Sequence, residues 1–543
     1  MNNELSRIHS LVDSDGTTHL ADYTYLGRDR TVQVDFPQPG VKFTWLWQTG
    51  DNPTPPAEPY TGWDHFGRAI DLRWIKNGSG AELERLQHGY DRASNRLYRK
   101  NLVAPDADKQ DELYTYDGLS QLSVFQRGVL NTGCTAITGT PIAEEDFIFD
   151  PTGNWNEYVR KASGTPTTQT RTHNKANELT AIDSSSSLVT EDAAGNMTKV
   201  PKPDDWSSAY DLKYDAWNRL VEVRDGSTVV ATYAYDGLNR RTKKVMGSDT
   251  RHFYYTDKWQ IIEERVNAST SADRQFVWGI RYTDDLVLRD KGTERLYVIQ
   301  DYFQPTAVMD TTGAVLERYG YEAFGTSRVM EPDYTPLTDS AYEWETRFGA
   351  YRWDEETKMV QVRNRYLHTQ LGRWVTRDLI EYGDGMNLYA YVQNIPNNFI
   401  DSTGLLSLFD IIGYAGFLLK PNGSCGCITV NGPVSLVSTT TVGVGLANKV
   451  ACRVAANLVD GEIKDLLATR LPSATCFQCS NGLSCNVDTK IGPIFIPISP
   501  AFPIILNTDR RGNVVAPASA KCIITVVLTG SVTIEGDSGC CPH

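Results

Sequence analysis

Between residues 88 and 260 apolar and polar positions alternate in short runs of strand period, as in Leu212-Lys213-Tyr214 and Leu220-Val221-Glu222-Val223. Each run breaks at an aromatic or apolar residue, an Asp, two or three loosely chosen residues, and then Asn or Gly. The unit reads Tyr90-Asp91 with Asn95-Arg96-Leu97, Tyr116-Asp117-Gly118 with Gln121-Leu122, and Phe149-Asp150 with Gly153-Asn154. It recurs weakly at His173-Asn174 and at Glu191-Asp192 with Gly195-Asn196. Clear copies stand at Tyr214-Asp215 with Asn218-Arg219-Leu220 and at Tyr235-Asp236-Gly237 with Asn239-Arg240, and a late one at Tyr255-Thr256-Asp257. The successive Asp or Asn positions lie 26, 33, 24, 18, 23, 21 and 21 residues apart, which suits strands of constant length joined by loops of variable length. Asp followed by Gly or Asn forms Asx-type turns and tolerates positive φ, so each unit predicts strand, tight turn, strand. Tyr and Trp give such a half-buried pleat large area and a polar handle. A unit of this size cannot bury a face alone and must stack on its neighbours.

A different pattern occupies residues 363 to 405. A basic-aromatic segment (Arg363, Arg365, Tyr366) leads through Gly372-Arg373-Trp374 to an isolated acid, Asp378. A Gly-containing turn, the aromatic stretch Asn387-Leu388-Tyr389-Ala390-Tyr391, and a second acid, Asp401, follow, the last just before Ser402-Thr403-Gly404-Leu405. Two acids that share one proton can cut a peptide bond: one deprotonates water while the other protonates or polarises the carbonyl. A spacing of 23 residues carries no specificity for that chemistry, and an Asp beside Arg377 or opening an Asp-Ser-Thr-Gly turn is ordinarily structural.

Composition changes after residue 405. All 12 Trp lie at or before Trp374, only Tyr414 of the 27 Tyr lies after residue 405, and nine of the ten Cys lie there too, leaving Cys134 alone upstream. Residues 405 to 543 hold nine Lys and Arg against eight Asp and Glu, so the net charge of −14 sits in the first 404 residues. That acidity argues against a general nucleic-acid or anionic-membrane binder. The opening MNNELSRIHSLVDSDG lacks a basic-then-apolar signal pattern, and the apolar run 408 to 419 is too short, with Asp410 inside, to read as a spanning helix. Residues 445 to 470 predict a helix, Ile523 to Leu528 a strand, and Ile491 to Ile505 a Pro-spaced extended segment.

The nine tail cysteines are Cys425, Cys427, Cys452, Cys476, Cys479, Cys485, Cys522, Cys540 and Cys541. Disulfides in an exported domain account for them better than zinc, since the spacing is not that of a standard finger and the only His in the tail is terminal His543. An odd count leaves one thiol over. Neither a metal site nor a cofactor is expected, and nothing in the tail names its activity.

The stretch 363 to 405 resembles the RHS-repeat-associated core that follows YD repeats in bacterial RHS proteins. The segments Leu296-Tyr297 to Asp301-Tyr302, Asp310-Thr311-Thr312-Gly313, Tyr319 to Gly325, Phe348-Gly349 and Trp353 to Thr357 resemble the last repeat before that core. Insecticidal-toxin C components, polymorphic toxins and, distantly, teneurins share the pattern. The resemblance implies a mainly β fold, with a YD-repeat sheet strip (residues 1–325) spiralling into a full or partial hollow shell. A core with an autoprotease (326–405) and a small Cys-rich α+β C-terminal domain (406–543) follow. By position it assigns Asp378 and Asp401 as the aspartyl pair, Arg365 as their support, and the bond between Leu405 and Leu406 as the one cut. Three departures stand out: Leu379 and Ser402 replace prolines, and Arg365-Tyr366-Leu367-His368-Thr369 replaces Arg-Tyr-Tyr-Asp-Pro. The function implied is enclosure and delivery of the chain's own C-terminal domain, secreted or at the cell surface, with a secretion or shell-completing partner and no transmembrane span. The alternative is a non-catalytic surface interaction protein built on the same repeats.

Overall fold

The computed structural model describes residues 7–405, apart from 28–29, 47–61, 204, 302–303 and 384, together with seven short strands between 428 and 534. Two antiparallel meanders make the wall. The first runs through 13 strands from Ser10–Val12 to Leu179–Ile182, the second through 15 from Thr190–Glu191 to Pro336–Leu337, each strand beside its neighbours in sequence.

The turns follow one rule. At Asp91, the Asp91 amide donates to the Asn95 carbonyl (2.9 Å), the Ser94 amide donates back to Asp91 (3.2 Å), and the Asp91 carboxylate accepts the Asn95 amide (2.8 Å). The same acceptance from the residue four places on recurs at Asp117, Asp150, Asn174, Asp192, Asp215 and Asp236. The fourth residue of each turn is left-handed, with φ between 59° and 81°, which is why Ser, Gly or Asn stands there. In the late copy it is Thr256, not Asp257, that fills the acceptor position: its hydroxyl takes the Lys258 and Gln260 amides. Two further turns of the kind lie outside the stretch 88 to 260, at Asp64 and Asp310.

Neighbouring units are stitched at this edge. Where a tyrosine precedes the turn it donates its hydroxyl to a carbonyl of the preceding unit: Tyr90 to Ala69, Tyr116 to Arg96, Tyr214 to Met197, Tyr235 to Leu220 and Tyr255 to Arg241, all at 2.7–3.0 Å. The polar handle expected of these tyrosines thus has a fixed address. The residue ending the turn reaches forward: Asn95 to Ser120, Asn154 to Asn177, Asn196 to Asn218, and Arg219 to the Asp236 carbonyl.

The apolar faces close on one another. Leu20, Tyr23, Phe36, Phe43 and Trp74 of the first meander share a core with Val287, Leu288, Tyr297, Ile299 and Met309 of the second. The Trp74 indole donates to the Gln300 carbonyl at 2.7 Å across 226 residues. Elsewhere on the seam Arg127 pairs with Glu322 (2.7 Å), and Glu145 accepts the Ala323 amide (3.1 Å) and the Tyr158 hydroxyl. Burial, reinforced by Glu322, pushes the Glu145 carboxyl from 4.5 up to about 7. The folded chain therefore keeps a proton that the unfolded chain releases in that window. Stability is fully present below the ordinary value and is lost as pH rises through about 7, by on the order of 3 kcal/mol. Melting curves should accordingly show Glu145→Gln matching the wild type near about pH 5 and exceeding it near about pH 8, because the amide keeps the acceptor oxygen without the charge.

The chain divides into two compact units, Met1–Leu406 and Ser407–His543. In the second, the strand Ile523–Val527 pairs with Val437–Thr441 and Ile494–Ile498, and Ile494–Ile498 makes an antiparallel hairpin with Phe502–Thr508. The extended readings of 491 to 505 and 523 to 528 fall on these strands. Leu406, the apolar run 408 to 419, the helix expected at 445 to 470 and all nine tail cysteines lie outside the described residues. Among the described residues Cys134 is a free thiol, and no helix is long and apolar enough to cross a membrane.

Candidate active site

A four-stranded sheet, Arg352–Asp354, Met359–Val362, Arg365–His368 and Arg373–Trp374, carries the site. The strand Arg365–His368 is buried throughout, and Arg365 enters it opposite Val362. The segment 387 to 391 lies alongside the chain leading to the first acid: the Trp374 amide donates to Tyr389 (2.9 Å) and the Asp378 amide to Leu388 (3.0 Å).

Asp378, Asp401 and Arg365, far apart in sequence, meet. Arg365 Nη2 lies 2.7 Å from Asp378 Oδ2 and 3.2 Å from Asp401 Oδ2. The guanidinium sits over the Trp374 ring at 4.2 Å, which fixes its plane, and its Nε donates to the Gly404 carbonyl. Asp401 is wholly buried and Asp378 is 8% exposed. Burial pushes the Asp401 carboxyl above the usual carboxylate range, against the pull of Arg365 and with a push from Asp378. The charge count agrees: two ionised acids against one arginine leave a buried negative charge, and one proton removes it.

Asp401 also organises the residue before the expected cut. Its Oδ1 accepts the Thr403 amide (3.2 Å) and the Leu405 amide (3.0 Å) and lies 3.1 Å from the Thr403 hydroxyl, while the Gly404 amide donates to its carbonyl (3.3 Å). These bonds hold the turn that Ser402, standing where the resemblance has proline, does not fix through its own ring. Gly404 is obligatory here. Its φ is 68°, and a Cβ would collide with the Val362 carbonyl. Similarly, at Leu379 the loop is held because Asp378 Oδ1 accepts the Ile380 amide at 2.9 Å.

The core is fastened to the wall by asparagines whose role the sequence did not disclose. Asn394 accepts the Trp155 indole N–H (3.1 Å) and donates to the Gly153 carbonyl (2.8 Å). Asn387 donates to Asn154, and Asn398 accepts the Arg96 amide. Their partners are residues of or beside the repeat turns, so the core reads the same edge that stitches the wall. A signal was present in the run Asn387, Asn394, Asn397, Asn398, since side-chain amides that dense in an aromatic segment need partners. Below them Arg241 forks onto Asp354 and touches the Tyr366 hydroxyl (2.7 Å), and Lys244 joins Asp354 (3.2 Å) and Glu356 (3.0 Å). Burial opposes the charge on Asp354, but Arg241 and Lys244 hold its carboxyl below the usual value. Among the described residues no group of three His, Cys, Asp or Glu side chains could hold a metal ion.

Stitched hairpin repeats closed by such a core make the chain RHS/YD-repeat-like, and the comparisons with known proteins share that likeness. A family model described as Teneurin YD-shell matches residues 223–397. Among curated relatives, the tRNA3(Ser)-specific nuclease WapA of Bacillus spizizenii is 27% identical over 269 residues, covering 48% of this chain and 11% of the nuclease. Toxin protein Tse5 of Pseudomonas aeruginosa is 27% identical over 265 residues, covering 41% of this chain and 19% of Tse5. The crystal structure of TcdB2-TccC3 superposes with a TM-score of 0.56 at 17% identity, over 74% of this chain and 20% of that one. A second, of TcdB2-TccC3 without its hypervariable C-terminal region, gives 0.55 at 17% identity over 72% and 19%. This chain thus spans a fifth or less of the length of each of these proteins.

Proposed function

We propose that the protein is an exported RHS-type toxin-delivery protein. Its YD wall encloses residues 406–543 as a variable effector, and its core frees them by aspartyl autoproteolysis after Leu405. The observation that carries this reading is one arginine nitrogen holding both acids, with the same Asp401 accepting the Leu405 amide. Asp401, which burial favours protonated, is the acid toward the Leu405 carbonyl. Asp378 takes the proton from the attacking water and returns it to the departing Leu406 nitrogen. Relatives named as nucleases and a toxin support the effector role of the tail, and the pairing of TccC3 with TcdB2 in the superposed crystal structure supports a partner chain.

Purified full-length protein should run as two pieces under denaturing conditions, and intact mass should place the start of the smaller at Leu406. A chain that stays whole at every point from roughly pH 4 to 8 would overturn the autoprotease and favour the non-catalytic surface protein.

A further inference from the structure

Resting on the cleavage reading above, we infer that Thr403 is a further catalytic residue, whose hydroxyl passes the proton between Asp401 and the carbonyl oxygen of the bond that is cut. Thr403 Oγ1 lies 2.8 Å from the Leu405 carbonyl oxygen and 3.1 Å from Asp401 Oδ1. It stands between the buried acid and the reacting atom. The Leu405 amide is shared between Asp401 Oδ1 (3.0 Å) and Thr403 Oγ1 (3.1 Å), which pins both oxygens to the residue that is cut. A hydroxyl has one proton and two lone pairs, so it cannot donate to the carbonyl and to Asp401 together. It can donate to the carbonyl while accepting from a protonated Asp401.

The relay balances. Water adds its oxygen to the Leu405 carbonyl carbon and gives a proton to Asp378. The carbonyl oxygen takes the Thr403 proton, and Thr403 takes that of Asp401. As the resulting diol collapses, the C–N bond breaks and the leaving nitrogen takes the proton from Asp378. A diol proton returns through Thr403 to Asp401, and both acids end as they began. The hydroxyl serves as an oxyanion donor already in place before the carbonyl develops charge, and removing such a donor typically slows a reaction by about 10²–10³-fold.

The test follows the full-length chain from cell-free synthesis through a chase, with the uncut fraction read on a denaturing gel. Thr403→Val keeps the branched shape without the hydroxyl, and Thr403→Ser keeps the hydroxyl without the methyl. The expected result is cleavage slowed at least about 100-fold in Thr403→Val and held within about tenfold of wild type in Thr403→Ser, the melting midpoints of both matching wild type. Thr403→Val cutting within about threefold of wild type overturns the relay and leaves the aspartyl pair standing. Thr403→Ser as slow as Thr403→Val, with both melting normally, also overturns it, since the hydroxyl would then be present without effect. A wild type that never cuts overturns the cleavage reading itself and the relay with it.

Discussion

Asp401→Asn should yield a single full-length chain where the wild type is expected to yield two pieces, and Asp378→Asn should do the same. The amide is nearly isosteric and still accepts the Leu405 and Thr403 amides, so the turn at 401 to 405 is kept. What the proposed mechanism loses is the exchangeable proton on one side and the base on the other. General acid or base catalysis supplies about 10²–10⁴-fold in rate, so each variant should lengthen the half-life of the uncut chain by that factor. The direction with pH also follows. Asp401 must be protonated to act as acid, and burial raises its carboxyl above the ordinary range, so wild-type cleavage should persist above that range and fall as pH rises through the raised value. Time courses of the uncut band across pH measure both effects.

Arg241→Ala should cost on the order of 3–5 kcal/mol, the typical consequence of removing one partner of a buried ion pair. Arg241 and Asp354 are 1% and 0% exposed, and the arginine joins a wall hairpin to the core strand that precedes the site. Truncation leaves the Asp354 carboxylate to Lys244 alone and strips the Tyr366 hydroxyl of a partner. Urea unfolding should place the midpoint well below that of wild type. The double variant Arg241→Ala with Asp354→Ala should lose less than the two single losses together, because the Arg241–Asp354 contact is counted in both single losses and can be lost only once.

The wall was legible because its information is local. An Asp accepting the amide four residues on needs nothing distant, so turns at Asp91, Asp215 and Asp236 can be read from five residues each. The same locality explains the slip at Thr256: a hydroxyl does the work of a carboxylate there, and the Asp beside it drew the reading one place along. The turn at Asp64 follows Trp63 rather than Tyr, and its aromatic-Asp-x-x-Gly pattern was available but unlike its neighbours. The site was legible only by resemblance. Asp378 and Asp401 become a pair through Arg365, and a 23-residue gap cannot express a shared guanidinium nitrogen. Thr403 is the opposite case, since its spacing of two from Asp401 suits an Asx-type contact and could have been noticed.

The closing contact from Trp74 to Gln300 sets a timetable. Hairpins that pair with their sequence neighbours can zip as the chain emerges from the ribosome, each on the one before. The apolar face of Leu20, Phe43 and Trp74 has no such luck, because its cover is born 226 residues later. At synthesis rates of about 5–20 residues per second that is a delay of roughly 10–45 s. During that interval a nascent chain shows water, and every passing neighbour, a sticky sheet. The cell that makes this protein therefore faces a handling problem, and a chaperone acting on the ribosome-bound first meander is where it would be met.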